Sequence, residues 1–360
     1  LESVYLNYKS DPECDVYCVP IPYYELNPNG SVKKMCYDGA RYPDYVEVID
    51  YRKYDFENRH PDEMFIHNPY DEANFVTRVP ERFYASNLVK YTEMLVYIPY
   101  FILNDIAPDK QAAIAGIRHF ILTPGVIYAH RVVVQSEDMR QIYINEFYKW
   151  ALEKGIQGDF VDKEALGYKI IAAESPKITK LKRVRKEDLT LPEEWERLIF
   201  NSDGLKKKII LLNTTLASFL RNDASYLDKL ENALKCFRDK SDQVTLLWRP
   251  HPLLLGTMEA MRPDKTERFK SIVNNYVEEG WGIFDDTADF ERALVLSDAY
   301  YGDGGSALKL YKELKKPIMM QNIGVISDEK AKLPDFEKMA SEQVVIMKES
   351  ESFNLLNWIE

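Results

Sequence analysis

The chain has 360 residues, 46% of them hydrophobic and 29% charged, with a formal net charge of −11. That length exceeds one ordinary core and calls for two domains of roughly 150–200 residues each, and the composition is that of a globular protein. The acidic balance excludes nucleic acid as the main partner, because a phosphate backbone needs a basic face.

The chain opens at Leu1 with no signal-peptide pattern, and a preceding segment is expected. Cys14 and Cys18 form a CxxxC, with Cys36 and Cys236 elsewhere. No zinc spacing results, so reduced thiols in a cytosolic protein are expected. First-half strands are expected at 16–20, 46–50, 64–67, 95–97 and 132–135, with helices at 81–90 and 138–154. In "FIHNPYDEANF", His67 directly follows a strand, and Asp71 is close enough in sequence to orient its imidazole. A neutral imidazole suits a general base; a structural histidine is the other reading. The longest apolar run, 94–103, holds Pro99 and is half of what a membrane span needs.

The domain junction is expected between 174 and 207, where Pro176 and Pro192 stand. Here "KITKLKRVRK" packs six basic residues into ten. Such a run reads as a solvated face or as a contact with anionic lipid headgroups or a polyphosphate chain. The expected organisation is an N-terminal acceptor-side domain at 1–175 that lacks its first strand, a basic linker at 176–206, and a donor-binding domain at 207–348. A short amphipathic helix at 349–360 would pack back across the junction. Second-half strands are expected at 208–212, 244–248, 282–284, 299–301 and 317–320, with helices at 226–239, 266–279, 290–296 and 306–314. Strand and helix in alternation mean crossover connections and mainly parallel sheets. Ligands of such sheets sit beyond the C-terminal strand ends.

Three of those ends carry chemistry. "NTT" at Asn213, Thr214 and Thr215 offers donors that suit a phosphate, or an ordinary helix N-cap. "RPHP" holds Arg249 and His251 stiffly, each followed by a proline; a guanidinium neutralises phosphate and an imidazole donates to it. "GDGGS", with Asp303, Gly304, Gly305 and Ser306, lets backbone approach a ligand and opens a helix, which makes an anion site.

His251-Pro252, Ser297-Asp298, "GDGGS" and Lys316-Pro317-Ile318, in that order and spacing, resemble the CDP-glycerol glycerophosphotransferase family. These are the polymerases and primases of teichoic acid synthesis. The resemblance spans residues 207–323. It departs from the family at Gly302 and Gly305, which stand for a threonine and a serine, at Leu310, which stands for an acidic residue, and in lacking the N-terminal His-Gly-Thr-Pro. It implies α/β GT-B architecture, two Rossmann-like domains facing each other across a cleft. It further implies transfer of glycerol phosphate, or a related polyol phosphate, from a CDP-polyol donor to a polyol-phosphate or glycan acceptor.

On that basis His251, His67 and Arg249 are the expected catalytic residues. Asn213, Thr214, Thr215, Asp303, Gly304, Gly305 and Ser306 are expected to bind the donor phosphates. No metal and no cofactor are expected, and the protein is expected in the cytoplasm or at the inner face of the membrane. The rivals are a GT-B glycosyltransferase or epimerase using another nucleotide sugar, and a non-catalytic polymer-binding relative. For the epimerase, Leu308 and Lys309 stand where a ribose-holding glutamate pair belongs.

Overall fold

The computed structural model describes residues 1–158, 161–287, 289–324 and 346–348. The chain divides into two compact units, Leu1–Thr179 and Lys180–Glu360. The helix expected at 349–360 lies outside the described residues.

The first unit holds two sheets. Strands β1 (Tyr23–Leu26), β2 (Val32–Cys36) and β4 (Thr77–Arg78) form a small antiparallel sheet in the order β2-β1-β4. The main sheet is parallel, with β3 (Glu63–Ile66), β5 (Met94–Tyr97), β6 (Arg131–Val134) and β7 (Ile170–Ala172) in sequential order. Its core gathers Leu95, Tyr97, Val132 and Val134 with the buried face of helix Glu137–Glu153. The stretches at 16–20 and 46–50 make only one parallel bridge, Cys18 to Val48. Pro20 and Pro22 have no N–H to extend that ladder. The segment expected as one helix at 81–90 is broken at Tyr84, which is extended at ψ 144°. The next N–H, of Ala85, is taken by the buried carboxylate of Asp71 at 2.9 Å.

The second unit is one six-stranded sheet. In chain order its strands are β8 (Lys208–Thr214), β9 (Val244–Pro250), β10 (Ile283–Phe284), β11 (Ala299–Gly302), β12 (Ile318–Met320) and β13 (Ile346–Lys348). They lie in the spatial order β10-β9-β8-β11-β12-β13, all parallel. That is the doubly wound 3-2-1-4-5-6 arrangement of dinucleotide-binding sheets. Continuous apolar runs in β8 and β9 follow from burial on both faces. Trp248 is fully buried and meets Phe269, Tyr276 and Phe284 edge to face at 5.2–6.2 Å. Two Rossmann-like units in one chain are the composition of the GT-B class.

The basic run near the junction is matched by carboxylates. Lys180 pairs with Glu291, Lys182 with Glu313, Arg185 with Asp188 and Lys186 with Asp298. Asp298 also accepts from the Ile209 N–H at 2.9 Å, fixing the start of β8. Burial alone would raise its pKa, but Lys186 and that N–H outweigh burial and hold it below the usual carboxylate value.

Candidate active site

Strands β8 and β11 are neighbours in the sheet, and the chain leaves them toward opposite sides. Their C-terminal ends therefore bound the crevice where doubly wound sheets bind ligands. Here the two strand ends come very close. A Cβ on Gly302, whose φ is +150°, would lie 2.4 Å from the Asn213 carbonyl oxygen. Glycine is required at that position. At Gly305 the same test meets only Thr215 Cγ2 at 3.7 Å, which leaves room for a methyl group.

Asp303 ties the crevice together. Its carboxylate is 3% exposed and accepts from the Thr215 N–H at 2.8 Å, Thr215 Oγ1 at 3.2 Å and the Tyr226 hydroxyl at 2.6 Å. Gln321 Nε2 donates to its other oxygen, and the Tyr300 hydroxyl donates to its carbonyl. Burial, reinforced by Asp303, raises the Tyr226 pKa well above that of an ordinary phenol, so this hydroxyl stays a donor. A buried, fully engaged carboxylate does not receive a phosphate. Asp303 was expected to bind the donor; its carboxylate instead ties the turn after β11 to the start of the helix after β8.

Asn213 and Thr214, also expected at the phosphate, are turned inward. Asn213 Nδ2 donates to the Arg249 carbonyl at 3.1 Å, and Thr214 Oγ1 accepts from Trp248 Nε1 at 3.2 Å. Thr215 is half-buried and is the N-cap of helix Leu216–Arg238, its Oγ1 accepting from the Ser218 N–H. Beyond Asp303 the surface opens. Gly304, Gly305 and Ser306 are exposed, and helix Ser306–Glu313 starts with no side chain capping its first N–H groups. An uncapped N-terminus at a switch point is suited to an anion.

The end of β9 divides into one occupied and one available side chain. Arg249, 5% exposed, gives its guanidinium to Asp285 at 2.5 Å and to the Thr287 carbonyl at 2.7 Å, with Phe290 against its face. Asp285 is fully buried. The charge expected to neutralise a diphosphate is therefore already met inside the protein. His251 is half-buried, and its Nδ1 accepts from the Leu253 N–H at 3.1 Å. Burial lowers its pKa, so the ring is neutral at pH 7 and its proton stands on Nε2. Its own N–H bonds to the Thr214 carbonyl at 2.9 Å, which ties it to the crevice.

In the first unit His67 follows β3 and is exposed. Its pKa is lowered, by desolvation first and then by nearby positive charge. The expected Asp71 partner is elsewhere. Asp71 is 2% exposed and bonds to Ala85 rather than to the imidazole. Burial pushes its pKa up to about 7. Among the described residues no three His, Cys, Asp or Glu side chains converge as metal ligands. None of the described helices is long and apolar enough to cross a membrane.

No protein-family model matches the chain, and no curated protein sequence matches it. Solved structures do. The wall teichoic acid polymerase TagF, in a variant form, is 13% identical over 79% of this chain and 60% of its own, with a TM-score of 0.43. The UDP-GlcNAc 2-epimerase of Methanocaldococcus jannaschii, with UDP-GlcNAc and UDP, is 11% identical over 73% of this chain and 60% of its own, with a TM-score of 0.42. The S. aureus MnaA–UDP structure is 11% identical over 77% and 66%, with a TM-score of 0.41. The chain thus spans about three fifths to two thirds of those structures. At this distance the likeness says nothing about what the chain binds.

Proposed function

We propose that the protein is a nucleotide-dependent transferase that moves a polyol phosphate, glycerol phosphate in the first instance, from a CDP-linked donor to a hydroxyl acceptor. The observation that carries the reading is the exposed, uncapped helix start at Gly304–Ser306, set at the switch point of a sheet whose β9, on the other side of β8, ends in an imidazole held in its Nε2–H form. Backbone N–H groups there bind the donor diphosphate. His251 Nε2–H donates to a phosphate oxygen as charge grows on the leaving CMP, which is the usual way fixed donors lower such a barrier. The acceptor oxygen bonds to the polyol-bearing phosphorus, the bond from that phosphorus to the bridging oxygen breaks, and CMP departs. The acceptor proton passes to a base, for which His67 is the candidate of the first unit. Arg249 is a positioning residue here, fixing the loop that carries His251.

A thermal-shift series with CMP, CDP, UMP and UDP tests the donor. Cytidine nucleotides should raise Tm while uridine nucleotides leave it unchanged. Stabilisation by UDP alone would replace this reading with that of a UDP-sugar enzyme.

A further inference from the structure

The C-terminal edge of the first unit's parallel sheet carries a run of aromatic rings that the donor chemistry leaves unused. His67, after β3, meets Tyr100, after β5, at 6.2 Å between centroids with planes at 82°. Tyr100 meets Phe101 at 5.3 Å, Phe101 meets Phe120 at 4.8 Å, and Phe120 meets His119 at 4.0 Å. Tyr100 is 41% exposed. His67 and His119 are exposed, and Phe101 and Phe120 half-buried.

Other rings of this unit carry a cation over a face: Arg59 lies over Tyr17 and Tyr54, and Arg82 over Phe56 and Phe83. Among the described residues Tyr100, Phe101 and Phe120 carry none. Their faces are apolar, yet the rim is polar. The hydroxyls of Tyr70 and Tyr100 lie near each other, and the two imidazoles add ring nitrogens. Beside Phe101 a recess lined by Pro99, Ile102, Gln135 and Ser175 adds a concave end with polar groups.

A ligand for such a run needs a flat apolar face with hydrogen-bonding groups around its edge. A six-membered sugar ring has both, with C–H bonds on its faces and hydroxyls around its rim, and the centroid steps match its size. A polyol-phosphate chain has no such face and asks for several cations. The positive charges that act on His67 are the amino group at Leu1 and then Lys177, two rather than a cluster.

We propose that this ring run is a platform for a neutral saccharide, so that the acceptor hydroxyl belongs to a sugar. The proposal rests on reading the first unit as the acceptor side. Saturation-transfer NMR on the whole chain without nucleotide tests it, with maltotriose, cellotriose and chitotriose as probes. Transfer to at least one is expected; Tyr100→Phe should retain it, and Tyr100→Ala should weaken affinity about tenfold at unchanged Tm. Phe120→Leu should weaken it in the same way from the other end of the run. No transfer to any of the three overturns the proposal, as does transfer indifferent to both Tyr100→Ala and Phe120→Leu. It also fails if these variants reduce binding of polyglycerol phosphate or of phosphatidylglycerol vesicles in place of the sugars. Cytidine nucleotide titrations on the same samples keep the two readings apart. Sugar binding without nucleotide binding removes the donor assignment and leaves the platform standing.

Discussion

At the C-terminal edge of the second unit's sheet, polar side chains are bonded to one another. Asp303 holds Thr215, Tyr226 and Gln321, Asn213 holds Arg249, and Arg249 holds Asp285. At the same edge of the first unit, rings meet edge to face or tilted, with His67, Tyr100 and His119 exposed and Phe101 and Phe120 half-buried. Strand order explains the difference. The first unit's strands lie side by side in chain order, so their ends need little extra fastening. In the second unit β8 and β11 are neighbours although four helices and two strands separate them in the chain. A crevice between such strands keeps its shape only through side chains supplied by both. One edge is thus pinned by side chains from both of its strands, and the other is lined by rings.

The harshest way to break the pinned edge is Arg249→Ala. It leaves the fully buried Asp285 without its cation and should cost about 3–5 kcal/mol, read from the denaturant midpoint. A cost below about 1 kcal/mol would mean that this edge is much softer than its bonds suggest. The open edge hangs on Asp71, and there the expected effect depends on pH. Its pKa is raised from 3.8 to about 7, so folding favours the protonated acid. The contribution is full below pH 3.8 and is lost as pH rises through about 7, by at most about 4 kcal/mol. Asp71→Asn keeps an acceptor for the Ala85 N–H without a charge. Hydrogen-exchange protection factors over residues 67–88 should fall from pH 4 to 8 in the natural chain and stay level in the variant. Parallel curves would remove Asp71 from this role. The smallest effect on the fold belongs to His251→Ala. Turnover should fall about 10²-fold, some 2.7 kcal/mol in barrier, while stability changes by about 1 kcal/mol or less. Near-normal turnover would leave the pinned edge without its donor.

Legibility in the sequence follows the same divide. β8 and β9 stand out because a strand buried on both faces is a continuous apolar run, and "RPHP" marks the end of β9 and "GDGGS" that of β11. The hairpin of β1 and β2 was missed although "NPNG" announces its turn, with Gly30 at φ +79°. Helix Gln111–Ile121 likewise has no counterpart among the elements expected from the sequence. The partners of the site residues were out of reach for a different reason. Tyr226 meets Asp303 from 77 positions away and Asp285 meets Arg249 from 36. No local pattern says that an arginine at a strand end will turn inward to a distant carboxylate. The arginine was therefore assigned to a ligand that it does not face.

The Gly302 contact and the Asp303 bonds have a kinetic consequence. With every donor around that carboxylate already engaged, the seat at Gly304–Ser306 has its shape before any ligand arrives. On the proposed reading, nucleotide association there has no side chain among the described residues to turn, so it proceeds as a single encounter. Its observed rate should rise in proportion to nucleotide concentration without levelling off.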